Sequence, residues 1–210
     1  MRIIDLTLDI RDNPSNPAEI EPYAVPLAVR GVPQTATCYR LRLNGMSGTY
    51  IDFPGHLESC ADGADAGNAP LDSLLMRPAT VIHLRRQGRP RAVTAAELDA
   101  AGVDFQGEAL IIHALESRTF MDVDAESIPY YDPSAIEWIV ARAPRLFASD
   151  IYEKRPDQQG IFVELFRHGI RTVCCPVNLD QITQAHPRCS VIPLKARGIT
   201  QIPCRFFVTE

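Results

Sequence analysis

Asn44-Gly45-Met46-Ser47-Gly48-Thr49-Tyr50-Ile51-Asp52-Phe53-Pro54-Gly55-His56 is the stretch around which the chain is organised. It opens in a small-residue turn, continues as an extended Thr-Tyr-Ile-Asp segment and ends on an imidazole beside a proline. Glycines 45, 48 and 55 permit backbone conformations or close approaches that a Cβ forbids. Pro54 fixes its own φ and drives Phe53 into an extended conformation. Side chains alternate along a strand, so Tyr50, Asp52 and Pro54 share one face, and His56 joins them if the strand continues. A phenol, a carboxylate and an imidazole would then face one cavity. The same residues also read as a hairpin in which Asp52 caps a turn and His56 is merely exposed.

Working outward, Thr35 to Leu43 has the β-branched, alternating character of a strand that leads into this stretch. Before it, Asn13 to Pro33 is rich in proline and polar residues and reads as loop or edge strand. Residues 3–9 form a first strand. After the central stretch, Ser59 to Pro70 is a small-residue loop of a length that suits a lid or a surface connection. Strands follow at Thr80 to Leu84, at the apolar run Ala109 to Ala114 and at Arg145 to Asp150. Arg171 to Cys175 is a strand stopped by Pro176, and two more lie at Val191 to Leu194 and Cys204 to Val208. Thr94-Ala95-Ala96-Glu97 is a capping box that opens a helix to about Ala101. Pro133-Ser134 starts a second, through Arg142, with Ile136, Ile139 and Val140 on one face. Ile161 to His168 carries Phe162, Leu165 and Phe166 at helical spacing and ends at Gly169. Strands alternating with three short helices predict a mixed α+β (α/β) fold around a mixed sheet, as one domain over residues 1–210.

The totals agree with that reading. A chain of 210 residues, 46% hydrophobic and 22% charged, is large enough to bury a core without staples. Its formal charge of −5 offers no basic face to nucleic acid or anionic lipid. The N-terminus meets a charge at once, unlike a secretory signal, and no apolar run has the ~18 residues of a membrane span. These features predict a cytoplasmic protein with no nucleic-acid or membrane partner. None of the six cysteines has the spacing of a zinc knuckle or a redox pair, so reduced thiols are expected.

Met46 to His56 resembles the His-x-Gly-Thr-His-x-Asp-x-Pro-x-His motif of the cyclase family that includes bacterial kynurenine formamidase and isatin hydrolase. Asp5-Leu6-Thr7, Phe147-Ala148-Ser149-Asp150, and Gly169-Ile170 with Asn178-Leu179 are similar to further family segments. So is Pro193-Leu194-Lys195 with Gly198, Pro203 and Arg205. The resemblance runs the length of the chain. It implies a swivelling β/β/α barrel-like domain, assembled as a homodimer or homotetramer, that acts on a small-molecule substrate.

The family binds divalent metal through the two histidines and the aspartate of its motif, together with a later histidine and glutamate. Here those positions carry Met46, Tyr50, Asp52, Phe162 and Cys174, so of the ligands only Asp52 remains. The motif's last histidine, an acid/base in the family, remains as His56. Methionine and phenylalanine cannot replace hard-cation ligands, so no metal and no cofactor are expected. Polarising a carbonyl would then fall to hydrogen-bond donors, with Tyr50 placed to be one. Asp52 either holds the tautomer of His56 or accepts a proton itself. Thr49, Phe53, His113 and Cys174 are the candidates to line the substrate cavity. His113 ends a buried strand at a corner with Glu116 and Ser117. It reads equally as a core histidine bonded to backbone. Cys174 reads as a nucleophile if its pKa is lowered, and otherwise as a core residue filling the glutamate's place.

The resulting expectation is a metal-independent hydrolase of a cyclic amide, lactone or formamide, with His56 as acid/base, Asp52 as its partner and Tyr50 as donor. A cyclase or isomerase using the same trio, and a non-catalytic binding relative, are the two other readings.

Overall fold

The computed structural model describes residues 1–13, 15–88, 91–116, 123–124, 126–153 and 160–210. Ser117 lies outside these residues. Twelve strands are described: β1 (Ile3–Asp5), β2 (Glu19–Val29), β3 (Val32–Arg42), β4 (Tyr50–Asp52), β5 (Arg77–His83), β6 (Ala92–Val93), β7 (Ala109–His113), β8 (Tyr130–Tyr131), β9 (Leu146–Ser149), β10 (Arg171–Cys174), β11 (Arg188–Pro193) and β12 (Gln201–Thr209). Three helices accompany them, α1 (Ala95–Ala100), α2 (Pro133–Ala141) and α3 (Ile161–Arg167).

The main sheet runs β1-β12-β11-β5-β7-β9-β10-β4, and β4 also pairs with β12. That last pairing closes seven strands into a barrel and leaves β1 outside, on β12. Strands β5, β7, β9 and β10 are mutually parallel, whereas β4, β11 and β12 run antiparallel to their neighbours. The mixed α+β architecture and three helices expected from the sequence are thus present.

Strand parity divides the apolar residues between two cores. Ile51, Phe53, Val81, Ile111, Ala148, Val173, Val191 and Phe206 belong to the cluster that fills the barrel. Leu110, Ile112 and Phe147, which alternate with them, pack outward beneath the helices with Trp138, Ile139 and Leu165. A strand buried on both sides has no polar face, and β7 (Ala-Leu-Ile-Ile-His) is accordingly buried along its whole length.

Local signals behave as their chemistry requires. Thr94 caps α1 by accepting from the Glu97 amide, and Asp132 caps α2 by accepting from Ala135. Gly169, at φ +70°, takes the left-handed position just past α3. The segment from Asn13 to Pro33 contains the edge strand expected: residues 19–29 form an eleven-residue strand paired on one side only, along its length, with β3.

Candidate active site

β4 is three residues long and is flanked on both sides. Across β10, Cys174 stands opposite Tyr50 and Thr172 opposite Asp52. Across β12, Pro203 stands opposite Tyr50 and Gln201 opposite Asp52. Ile51 points into the barrel, so Tyr50 and Asp52 point outward, toward α3. Thr172, Asp52 and Gln201 therefore form one polar row across three strands.

Two glycines of the motif make this seat. A Cβ on Gly48, which has φ +68°, would lie 2.6 Å from the Leu8 carbonyl oxygen. One on Gly45 would lie 2.9 Å from both the backbone oxygen and Oε1 of Gln201. The motif loop can approach β12 and the segment that follows β1 only because both side chains are absent.

Asp52 is 2% exposed. Its Oδ2 accepts from Thr172 Oγ1 at 3.4 Å and from the Cys174 thiol at 3.7 Å. Its Oδ1 is buried without a hydrogen-bond partner. Burial pushes its pKa up to about 6, against the opposing pull of His56, Gln201, Cys174 and Thr172. A carboxyl in that state accepts or releases a proton near neutral pH.

The strand does not continue to His56 as the alternation assumed. Phe53 ends it, with its amide donating to the Thr200 carbonyl at 2.8 Å. Pro54–His56 then forms one 3₁₀ turn, and the turn carries His56 back over the site. His56 is exposed, its ring meets Phe166 edge-on, and its Nε2 lies 3.3 Å from Gln201 Nε2. The hydrogen-bond neighbour of the imidazole is thus Gln201, while Asp52 and His56 interact through charge. Tyr50 is partly buried, and burial together with the nearby Cys174, Cys175 and Asp52 holds its phenol far above its ordinary pKa. It stays protonated and can donate.

Other site candidates fall elsewhere. Thr49 and Phe53 were expected to line the cavity, but both have structural roles. The Thr49 hydroxyl accepts from the Leu8 amide at 2.7 Å and donates to the Cys175 carbonyl at 2.8 Å, which commits its one proton and one of its two lone pairs to the backbone. Phe53 is fully buried in the barrel core, because it shares parity with Ile51 and not with Asp52. His113 is on β7, three places from β4 in the sheet order, and it has the parity of the barrel interior. Its Nδ1 faces His83 Nδ1 at 2.9 Å, and its Nε2 meets the Glu116 carbonyl. The backbone-bonded reading describes it. Cys174 is buried beside Asp52, and burial holds its thiol well above the usual range, so it is neutral and poorly suited to attack.

Sequence reasoning missed Gln201 and Tyr152. Gln201 reaches the site only through barrel closure with β12, which no local pattern announces. Tyr152 is buried and donates to the Val173 carbonyl at 2.8 Å. Phe162 stacks on it at 5.1 Å and meets Phe166 at 5.8 Å. An aromatic wall therefore stands where the family resemblance implies a metal-binding histidine.

These residues do not suit a divalent ion. Among the described residues no group of three or more His, Cys, Asp or Glu side chains converges. Around Asp52 the other donors are a phenol and a thiol, both held protonated by burial, and a threonine hydroxyl. Asp52 would be the sole anionic ligand.

Similarity to known proteins accords with this architecture. Isatin hydrolase A from Labrenzia aggregata, bound to benzyl benzoate, superposes with a TM-score of 0.78 at 18% identity, over 99% of this chain and 93% of that one. Isatin hydrolase A from Ralstonia solanacearum gives 0.73 at 19% identity, over 99% and 91%. A protein described as a potential metal-dependent hydrolase with cyclase activity gives 0.69 at 16%, over 99% and 98%. No curated protein matches the sequence. Residues 4–153 match the profile of the family Cyclase, described as "Putative cyclase". With that match over most of its length and a barrel of the same build, the chain belongs to the cyclase family, as a divergent member that keeps only Asp52 of the motif's metal-ligand positions.

Proposed function

We propose that the protein is a hydrolase that opens a cyclic amide or lactone, or cleaves a formamide, by proton transfer from its own side chains. The observation that carries this reading is the Asp52 carboxyl, buried with an unpartnered Oδ1 and a pKa near 6, beside an exposed imidazole. A buried unpaired carboxyl is costly, and such groups concentrate where proton transfer is needed.

In this mechanism a water oxygen attacks the carbonyl carbon and its proton passes to His56. The carbonyl π pair moves onto oxygen, which takes a hydrogen bond from the Tyr50 phenol. Ionised Asp52 stabilises the imidazolium. Collapse breaks the C–N or C–O bond, and His56 returns the proton to the leaving atom. No step passes through a metal, since the donors around Asp52 do not make a ligand set. The exposure of His56 favours hydrolysis over ring closure or isomerisation, both of which need water kept out. The protein would work in the cytoplasm, where its cysteines, Cys38, Cys60 and Cys175 partly exposed among them, stay reduced.

The test is an assay of isatin, N-formylkynurenine and simple aryl lactones on enzyme treated with EDTA and analysed for metal. Turnover is expected to survive chelation and to rise with pH through about 6, as Asp52 ionises. Activity that disappears with EDTA and returns with zinc or manganese would overturn the metal-free mechanism.

A further inference from the structure

Strands β5 and β7 run parallel and in register, so His83 and His113 stand side by side at their C-terminal ends. One step past the last β7–β9 pair, Ile112–Ser149, Asp150 comes beside His113. Two imidazoles and a carboxyl thus form a row across three strands, and the proposed hydrolysis uses none of them. His113 and Asp150 are buried, whereas His83 is exposed and lines an open cavity of about 710 Å³ beside α1.

The hydrogen bonds fix how many protons this row holds. The two Nδ1 atoms lie 2.9 Å apart with the ring planes at 88°, so one proton, and only one, stands between them. His113 Nε2 meets the Glu116 carbonyl, and a carbonyl only accepts, so that nitrogen carries a proton. The Ile182 carbonyl likewise takes a hydrogen bond from the His83 ring, which has Nε2 left to give it. Three protons on four ring nitrogens make one positive charge. Asp150 supplies the opposite one. Its Oδ2 is 3.8 Å from His113 Nε2, and its two oxygens accept from the Ala114 and Leu115 amides at 2.8 and 2.9 Å, as a carboxylate does. Burial raises its pKa against the pull of His113 and those amides. A proton moved there from the pair would sit on an oxygen that already faces an amide hydrogen, and it would leave two lone pairs opposed across 2.9 Å.

We propose that His83 and His113 share a single positive charge with Asp150 as its counterion, and that this charge makes them a pH-sensitive clasp. The clasp holds two turns. One is at Glu116, a non-glycine residue at φ 58°, whose carboxylate also receives the Arg86 and Gln87 amides. The other is at Ile182, which packs with Leu179 in the barrel core. A fourth proton would set two N–H groups against each other, and loss of the third would oppose two lone pairs. The clasp is therefore closed only between two pH limits. The other charges near it are accounted for. Asp180 acts on His83 from the turn after β10 and favours its charge. Arg85 and Glu97 line the cavity, where Glu97 is paired with Arg86. The Tyr131 phenol, near Asp150, is held protonated by burial. Burial and the neighbouring His113 hold His83 below its ordinary pKa, which is the resistance to a fourth proton. The unfolded chain takes that proton more readily, so stability is lost as pH falls below the ordinary imidazole range. On the alkaline side the folded pair keeps its third proton longer than free imidazoles do, so stability is lost as pH rises through that step.

Nitrogen-15 NMR of the imidazole rings of the full-length protein, titrated between about pH 4 and 10, tests this without any assay of turnover. Near pH 7 both Nε2 atoms are expected to be protonated, with one further proton averaged over the two Nδ1 atoms. The pair should titrate in two steps more than ~1 pH unit apart, one on each side of the ordinary imidazole value of ~6.5. His83→Gln supplies a second readout, because an amide can donate to His113 Nδ1 without bringing a charge. Asp52 adds its own slope in the acid range, so the quantity to compare is the difference between wild type and variant in denaturation midpoint at each pH. That difference should shift at both limits, with wild type losing stability there and the variant staying level. Two rings that titrate together in one step near the ordinary value, a pair that holds two or four protons at pH 7, or a folded His83→Gln protein with the wild-type pH dependence would each overturn the proposal.

Discussion

Ile51 and Phe53 leave one side of the β4 segment and Tyr50 and Asp52 leave the other, and the two pairs live under different rules. The inner pair sits in a closed apolar core, with both residues fully buried among other hydrocarbon side chains. The outer pair is almost as well hidden, yet it carries a protonated phenol, a carboxyl with one orphaned oxygen, and a neutral thiol nearby. The inner side adds stability through packed area. The outer side withholds it, because desolvating a carboxylate without pairing it costs free energy. One short strand thus holds the structure with its odd residues and the proposed chemistry with its even ones.

The contrast is broken most sharply by substitution on opposite sides. His56→Ala should lower turnover by about 10²–10⁴-fold, or about 3–5 kcal/mol of barrier, with little change in melting temperature because the ring is exposed. Phe53→Ala, three residues earlier, should do the reverse. It should cost about 3–5 kcal/mol of folding stability while any folded protein retains most of its turnover. Steady-state kinetics and chemical denaturation on the same two proteins decide the matter. A Phe53 variant that loses activity at unchanged stability, or a His56 variant that loses only stability, would dissolve the distinction.

How far this division was legible in the sequence follows from the reach of each signal. Alternation correctly put Tyr50 and Asp52 on one face, because parity is a local property of any strand. It does not reach His56, because β4 stops at Phe53 and Pro54 starts a 3₁₀ turn. Caps at Thr94 and Asp132 and the glycine after α3 were readable for the same local reason. Gln201 was not, because its place beside Asp52 depends on closure of the barrel across about 150 residues of chain. Phe53 was misjudged because a motif gives order and not direction. The proline content of Asn13 to Pro33 was readable as edge strand, because proline suits a strand whose outer edge needs no donors, as β2 is.

Asp52→Asn sharpens the comparison from the stability side. A folded pKa near 6 against an ordinary 3.8 means that the folded state binds its proton more tightly than the unfolded state. By linkage, stability then falls as pH rises from about 4 to about 6, and above that range the ionised group costs about 3 kcal/mol. Asparagine removes the charge, so the variant should be more stable than wild type at pH 7–8 by up to that amount. It should also lose the slope between pH 4 and 6 while losing turnover. Denaturation midpoints at pH 4, 6 and 8 measure this, and a variant less stable than wild type at pH 8 would show that the carboxylate is paired after all.

The smallest expected effect is at Cys174, where the two sides of the strand come closest to sharing a rule. Its thiol is buried like a core residue, yet it donates to Asp52 Oδ2 and helps hold that carboxyl down. Cys174→Ala removes one sulfur's volume, at a cost of about 1 kcal/mol. It also removes a donor, so the Asp52 pKa should rise and the acidic limb of the pH–rate profile should move up with it. Turnover on the plateau should stay within a few-fold of wild type, because a thiol held neutral by burial is not the nucleophile. Cys174→Ser keeps a donor at the same position and should return the limb toward its original place, at some further loss of stability from burying a hydroxyl. If the alanine variant is folded but inactive, the sulfur takes part in the chemistry, and the outer side of β4 works by covalent catalysis and not by proton transfer alone.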